Sequence, residues 1–293
     1  MPCLSNWLSI KIRERIVLKT PQLWTDRAQT SEILENIKKY RTGKKKIVNV
    51  RVKTITVADG ELSYYDEKYN SIITAREINA EVIVRKQPEV NFSVAELALA
   101  IKDLPVIKSS LKGAAVVSKD AVEFRGLDLK SEGSSVQASG LYSKGGKGDF
   151  HVDLTLLVSS LKKMFSLKKE GEGTVHAKGT VKFENIRDPF LDIEVSGEFY
   201  LQTLMELVKA KTRHPLEGWI SFNGRLKGNV SALKGSADAR LKNGNLFRIK
   251  VDELVCEVTY EDGIMSFKNG KGKLYGGSAT LEASIKVPKA KPY

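Results

Sequence analysis

The chain has 293 residues, with 48 Lys and Arg against 35 Asp and Glu, so its formal net charge is +13. Hydrophobic residues make up 41% of it, which is too many for a disordered chain. No apolar run is long enough for a transmembrane helix, and the first ten residues do not look like a signal peptide. Two cysteines, Cys3 and Cys256, are too few for a disulfide scaffold, so we expect free thiols.

The positive charge is concentrated near the N-terminus. Residues 1–58 contain 13 basic and 4 acidic side chains, and the densest group is Lys44, Lys45 and Lys46. Such a cluster is either a solvated loop or a contact with an anionic partner, a membrane surface or a nucleic acid. No aromatic platforms, helix-turn-helix or zinc-finger spacing accompany it. We therefore expect a membrane-proximal patch and no nucleic-acid partner.

Hydrophobic side chains recur at every second position along most of the chain. This alternation predicts strands with one apolar and one polar face. In chain order, the runs are 8–18, 48–52, 72–84, 150–158, 175–183, 191–199 and 279–287.

Turn signals separate these runs at short intervals. Dipeptides typical of β-hairpins occur at 59–60, 145–146, 243–244, 262–263 and 269–270. Strands joined so tightly pair antiparallel, which predicts an all-β fold, one meander of about 15 strands. Helical spacing interrupts it at 31–40, 157–165 and 201–211, which predicts short inserted helices.

The same signals divide the chain into three parts. Residues 1–46 are predicted to hold a strand, a short helix and the basic loop. Residues 47–287 form the repeating β domain, and residues 288–293 form a basic tail of Pro and Lys.

An internal repeat lies in the second half of the chain. Residues 172–182 align with residues 217–227, which places Gly179 opposite Gly224, and the helical segments upstream align as well. A glycine lets a strand bend or lets a ligand approach the backbone closely. We expect both glycines on the concave side of a curved sheet, and we expect Gly224→Leu to reduce ligand binding with little loss of fold.

No catalytic constellation is visible. The three histidines, His151, His176 and His214, are scattered, and the sequence has no HExxH, CxxC, GxSxG or P-loop motif. We therefore expect a non-enzymatic protein without a metal or another cofactor.

Several segments resemble the C-terminal region of AsmA-like proteins. They are 235–249 (GSADARLKNGNLFRI), 254–267 (LVCEVTYEDGIMSF) and 273–283 (KLYGGSATLEA). Residues 55–66 (ITVADGELSYYD) are similar to the recurring strand–Asp-Gly–strand element of that family. Most of the chain, from about residue 8 to residue 287, is compatible with the resemblance.

The resemblance implies an envelope protein of a diderm bacterium, related to AsmA, TamB and the bridge-like lipid-transfer proteins. Such proteins are anchored in the inner membrane and carry a curved β-groove through the periplasm. They are implicated in phospholipid transport, outer-membrane homeostasis and, for some members, outer-membrane protein assembly. This chain shows neither the anchor helix nor a signal peptide, so we expect a piece of a longer protein or a shortened member.

An apolar sheet face must close on itself, pack against another layer or bind something apolar. The alternation alone favours a closed sandwich or barrel. With the resemblance, we favour a long, curved, open groove that binds phospholipid acyl chains and conducts them between the membranes. Its expected lining is Val152, Leu154, Leu156, Val175, Ala177, Val181, Leu191, Ile193, Val195, Ile220, Phe222 and Leu226, with Gly179 and Gly224 as groove glycines.

Two other functions remain open at this stage. One is a purely structural β-scaffold. The other is an assembly factor for outer-membrane proteins, which would hand strands of its clients to a partner through the edge of its sheet.

Overall fold

The computed structural model describes residues 15–26, 53–67, 70–101, 106–160, 172–184, 188–203, 216–246, 249–275 and 277–286. These residues form one curved sheet that does not close, which confirms the predicted all-β fold. Its strands are β1 (Arg15–Lys19), β2 (Gln22–Asp26), β3 (Thr54–Asp66), β4 (Ser71–Ile83), β5 (Glu89–Ile101), β6 (Ile107–Val117), β7 (Ala121–Ser131), β8 (Ser134–Ser143), β9 (Lys147–Leu157), β10 (Gly173–Phe183), β11 (Phe190–Tyr200), β12 (Leu216–Asn229), β13 (Lys234–Leu246), β14 (Ile249–Glu261), β15 (Ile264–Leu274) and β16 (Gly277–Lys286).

The sheet is a meander from β3 to β16, because each strand pairs antiparallel with the next one in the chain. The exception is the first edge, where β1 and β2 both run parallel to β3. β1 pairs with the first half of β3 and β2 with the second half, so together they act as one interrupted edge strand. Both come from the predicted N-terminal part of the chain, yet they lie in the same sheet as the rest.

Three of the five predicted hairpin turns are wrong, because these dipeptides lie inside strands. Asp59, Asn243 and Asn269 have φ angles of 54°, 48° and 53°, and the strand register shifts beside or opposite each of them. Asp and Asn tolerate the left-handed conformation, which a β-bulge uses as readily as a turn does. The other two dipeptides, at 145–146 and 262–263, do connect β8 to β9 and β14 to β15.

The two described inserts begin as helices. Residues 158–160 and 201–203 are helical, as the sequence predicts, whereas Leu157 is still the last residue of β9. Residues 161–165 and 204–211 of the predicted helices lie outside the described residues. The predicted helix at 31–40 and the predicted tail at 288–293 also lie outside them. A short 3₁₀ turn, Val230–Ala232, connects β12 to β13, and no sequence signal predicts it.

The fold has one layer and a small core. Within the described residues, no large side chain is fully buried. The main buried cluster is Leu201, Leu241 and Val251, with Ile220, Leu254 and Leu274 packed against it. It lies at the end of β11, where Leu201 begins the second insert.

Candidate functional site: the apolar face of the sheet

The strand register shows which side chains share a face, because directly opposed residues of antiparallel strands point to the same side. Three neighbouring cross-strand rows run over β9, β10, β11 and β12. We call the side that carries them the apolar face and the opposite side the polar face. The rows are Val152–Gly179–Ile193–Leu226, Leu154–Ala177–Val195–Gly224 and Leu156–Val175–Gly197–Phe222.

All twelve predicted lining residues and both predicted glycines lie on this apolar face. The register from β8 to β12 has no shift, so the stripes expected from the alternation are continuous. Each of the twelve side chains is partly exposed, and none is buried. In the closed sandwich or barrel these positions would form the core, but the sheet does not close. The face is therefore available to a ligand.

Aromatic side chains that the sequence reasoning left out of the lining form a cluster on this face. The ring centroids of Phe124 and Phe150 are 6.0 Å apart, and those of Phe150 and Phe183 are 5.8 Å apart and stacked. Tyr142 lies 6.2 Å from Phe183. The alternation of the sequence in β9 and β10 indicates that Phe150 and Phe183 lie on the apolar face. Phe124, in contrast, precedes a bulge that the sequence did not reveal.

The opposite end of the apolar face is covered where the inserts begin. Val158 is 3% exposed and Thr203 is 2% exposed. The hydroxyl groups of Ser134 and Ser160 are hydrogen-bonded at 2.7 Å, and the backbone N–H of Leu157 donates to Ser134 Oγ at 3.1 Å. These bonds fix the first insert to the end of β8. Side chains at this end are thus buried, and aromatic rings line the face towards the other end.

The two repeat glycines lie where neighbouring backbones come very close on the apolar side. A Cβ atom on Gly179 would lie 2.7 Å from the Cα of Ile193, and one on Gly224 would lie 2.8 Å from the Cα of Ala237. Since no side chain fits there, the structure predicts that Gly224→Leu destabilises the fold, contrary to our expectation from the sequence.

The apolar face is also a poor environment for charge. Cys256 lies in the same row as Phe222 and Ala239 and is 8% exposed. Burial raises the pKa of its thiol, which therefore stays protonated near neutral pH.

Ion pairs between neighbouring strands line the polar face. Lys178 lies 3.6 Å from Asp153, and Lys182 lies 3.1 Å from Asp149. The Arg225 guanidinium donates to Asp192 Oδ1 at 2.6 Å, and this hydrogen bond holds the pKa of the carboxyl below its usual range.

A depression of about 1370 Å³ follows the polar face from β3 to β12. Its walls are two rows of polar side chains, and its floor is the backbone between them. Acidic and basic groups alternate in the walls, so their charges largely cancel and the surface is well suited to water. The wall residues include Glu81, Lys112, Asp128, His151, Asp153, Lys178, Asp192, Glu194 and Arg225.

Some of the predicted features cannot be placed. The basic patch Lys44, Lys45 and Lys46 lies outside the described residues, as does Cys3. Within the part of the chain that the structure describes, no three His, Cys, Asp or Glu side chains converge on a possible metal position. In the same part, no helix has both the length and the hydropathy to cross a bilayer.

Comparisons with family models, curated proteins and solved structures found no match to this chain. The likeness to AsmA-like proteins therefore stays a prediction from the sequence motifs. The candidate site itself is defined by the strand register and by the exposure of its side chains.

Proposed function

We propose that the apolar face binds the acyl chains of phospholipids, and that the protein is a non-enzymatic conduit for them between the inner and outer membranes of a diderm envelope. One observation carries this proposal. The twelve lining side chains form continuous apolar stripes, yet each stays partly exposed in a sheet with one layer. Apolar surface left in water costs roughly 25 cal/mol per Å², so this face favours an apolar occupant.

The dimensions of the sheet suit acyl chains. Strands about 4.8 Å apart make the 14 strands from β3 to β16 roughly 60 Å wide. One acyl chain spans about half of the ~30 Å hydrocarbon core of a bilayer. Several chains could therefore lie one after another across the strands, with their headgroups in water.

The contrast between the two faces also supports the apolar face as the surface that binds lipid. In its middle strands the polar face pairs its charges from strand to strand, so these groups do not need a ligand to offset them. The apolar face has no comparable compensation. The resemblance to AsmA-like proteins is the reason why the proposal places the protein in the periplasm of the envelope and assigns it to outer-membrane biogenesis.

Lipid extraction tests the proposal directly. We expect the purified protein to release phospholipid that mass spectrometry detects. Val195→Glu places a carboxylate among Ala177 and Gly224 on the apolar face, where an unpaired charge costs several kcal/mol if the site is dry. We expect this variant to carry at least about tenfold less lipid.

Asn223→Glu is the matched control, because it adds the same charge to an exposed position of the polar face beside Gly224. It should keep its lipid. A wild-type protein without lipid, or a folded Val195→Glu variant with normal lipid content, would contradict the proposal. Unfolding of Val195→Glu alone would indicate a packed core instead.

A second function is supported by the last strand. Within the described residues, β16 pairs only with β15, so its outer edge has unpaired N–H and C=O groups along ten residues. Such an edge can accept a strand from another polypeptide. Crosslinking from β16 that recovers client polypeptides rather than lipid would favour an assembly factor or a scaffold.

A further inference from the structure

The polar face changes its character at one end of the last strands. There the row that crosses β11 to β15 is Tyr200, Trp219, Lys242, Glu253 and Lys273. The next row inward contains Arg240, Val255 and Lys271. We call this area, together with Ile249, Lys250 and Tyr275 at the adjacent strand ends, the C-terminal rim.

The lysines of the C-terminal rim lack the partners that lysines have elsewhere on this face. Lys112, Lys178 and Lys182 each lie within 3.6 Å of a carboxylate. The side chains of Lys242, Lys250, Lys271 and Lys273 are exposed, and the structure gives them no ion pair among the residues it describes. Glu253 is held by Arg240, so it does not neutralise them.

Hydrophobic side chains are exposed between these lysines. Trp219 is 37% exposed and stacks edge-on against Tyr200, with ring centroids 5.8 Å apart. Val255, on the same face, is 44% exposed, and Ile249, at the tip of β14 on the side that Val251 faces, is 46% exposed. Tyr275 is 72% exposed, and its hydroxyl accepts a hydrogen bond from the backbone N–H of Lys250 at 3.1 Å.

Unpaired lysines, amphipathic aromatic rings and exposed aliphatic side chains occur together where proteins meet a bilayer. Trp and Tyr favour the level of the headgroups, and Lys favours anionic lipids. A nucleic acid or an acidic protein would use the lysines, but would gain little from Val255 and Ile249. We propose that the C-terminal rim docks on the surface of an anionic lipid bilayer. This inference does not depend on lipid binding by the apolar face.

The test is flotation of the full chain with vesicles of phosphatidylcholine containing about 30% phosphatidylglycerol, at about 0.1 M salt. The triple variant Lys242→Glu, Lys271→Glu and Lys273→Glu should bind at least about 100-fold more weakly, since each basic residue near an anionic surface contributes about fivefold. Binding to pure phosphatidylcholine should be much weaker for every variant.

The matched control reverses three exposed lysines in the turns at the other end of the strands, Lys86, Lys119 and Lys144. It changes the net charge equally and leaves the basic N-terminal segment unchanged in both proteins. We expect its binding to stay within about twofold of wild type. Equal losses in the two triple variants would mean that net charge alone drives binding, which would overturn the proposal.

Trp219 provides a second readout. In a protein with Trp7→Phe and Trp24→Phe, we expect its fluorescence to shift to the blue on anionic vesicles and to be quenched by brominated lipids. Vesicle binding without quenching would show that another surface makes the contact. If the lysine reversals weakened binding to single-stranded DNA or polyglutamate while vesicles left Trp219 unchanged, the partner would be an anionic polymer rather than a bilayer.

Discussion

The middle of the sheet and its flanks bend by different means. From β8 to β12 the register runs without a shift, and glycines lie where neighbouring backbones come close. Towards both ends the register is broken several times, as between β3 and β4 or between β15 and β16. At those two shifts, Asp59 and Asn269 adopt left-handed φ angles.

The comparison shows that one curved sheet can be built from two kinds of local sequence. A bulge adds a residue and strengthens the local twist, and it moves later side chains out of simple alternation. A glycine removes a side chain and keeps the register intact. The apolar stripes are therefore most continuous in the middle, where the internal repeat supplies Gly179 and Gly224.

The largest expected effect is a difference in stability between alanine variants of two glycines in the same cross-strand row. Gly179 faces the backbone of Ile193, whereas a Cβ atom on Gly113 would mainly meet the flexible ends of Leu127 and Phe92. We expect Gly179→Ala to lower the free energy of unfolding by about 3 kcal/mol and Gly113→Ala by about 1 kcal/mol or less. Urea denaturation measures both, and equal losses would show that the middle and the flank do not differ in this respect.

A smaller effect is expected at a bulge of the flank. Asn269 has a φ of 53°, a conformation that costs a β-branched residue about 1–2 kcal/mol. Asn269→Val should therefore lower the free energy of unfolding by about that amount, while Asn269→Gly should leave it within about 0.5 kcal/mol. Thermal unfolding of the two variants decides this. A stable Asn269→Val protein would mean that the register can slip and remove the bulge.

The smallest effect concerns two neighbouring turns of the middle region. Asp188 accepts hydrogen bonds from the Ser231 backbone N–H at 3.0 Å, from the Ser231 hydroxyl at 2.9 Å and from Asn229 at 3.1 Å. These bonds, first the one from the Ser231 N–H, lower the pKa of Asp188 below its ordinary value of 3.8. The carboxylate thus stabilises the fold above that value, and its contribution is lost as the pH falls through the lowered pKa.

Asp188→Asn should accordingly be less stable than wild type at neutral pH, and the difference should shrink as the pH falls below the ordinary pKa of 3.8 and disappear below the lowered pKa of the folded state. Denaturation at several pH values measures the difference. A constant difference across the range would rule out this role of the carboxylate.

The sequence predicts the middle of the sheet better than its flanks for a physical reason. Alternation reports the face of a residue only while the register holds, as it does around Val152, Ala177 and Val195. Asp-Gly and Asn-Gly pairs serve turns and bulges alike, so the turns predicted at Asp59 and Asn269 are wrong. The parallel edge formed by β1 and β2 depends on pairing with β3, which no local pattern encodes.

The candidate site shows the same limit. The lining of β9 to β12 follows from the periodicity, but the C-terminal rim does not. It depends on which lysines find a carboxylate across the strand, and that is a property of the register. Lys242 and Lys273 flank Glu253, yet that carboxylate is held by Arg240. Spacing along the chain could not reveal this.

The meander has a consequence for how cooperatively the protein unfolds. Among the described residues, each strand from β4 onward pairs only with the strands before and after it in the chain, so stability is close to a sum of nearest-neighbour terms. Unfolding should then start as fraying at the β16 edge and advance strand by strand, rather than as one all-or-none event. Amide hydrogen exchange should be slowest around β9 to β12 and accelerate steadily towards β16. A sheet of this kind could lose its last hairpin and still present an intact apolar face.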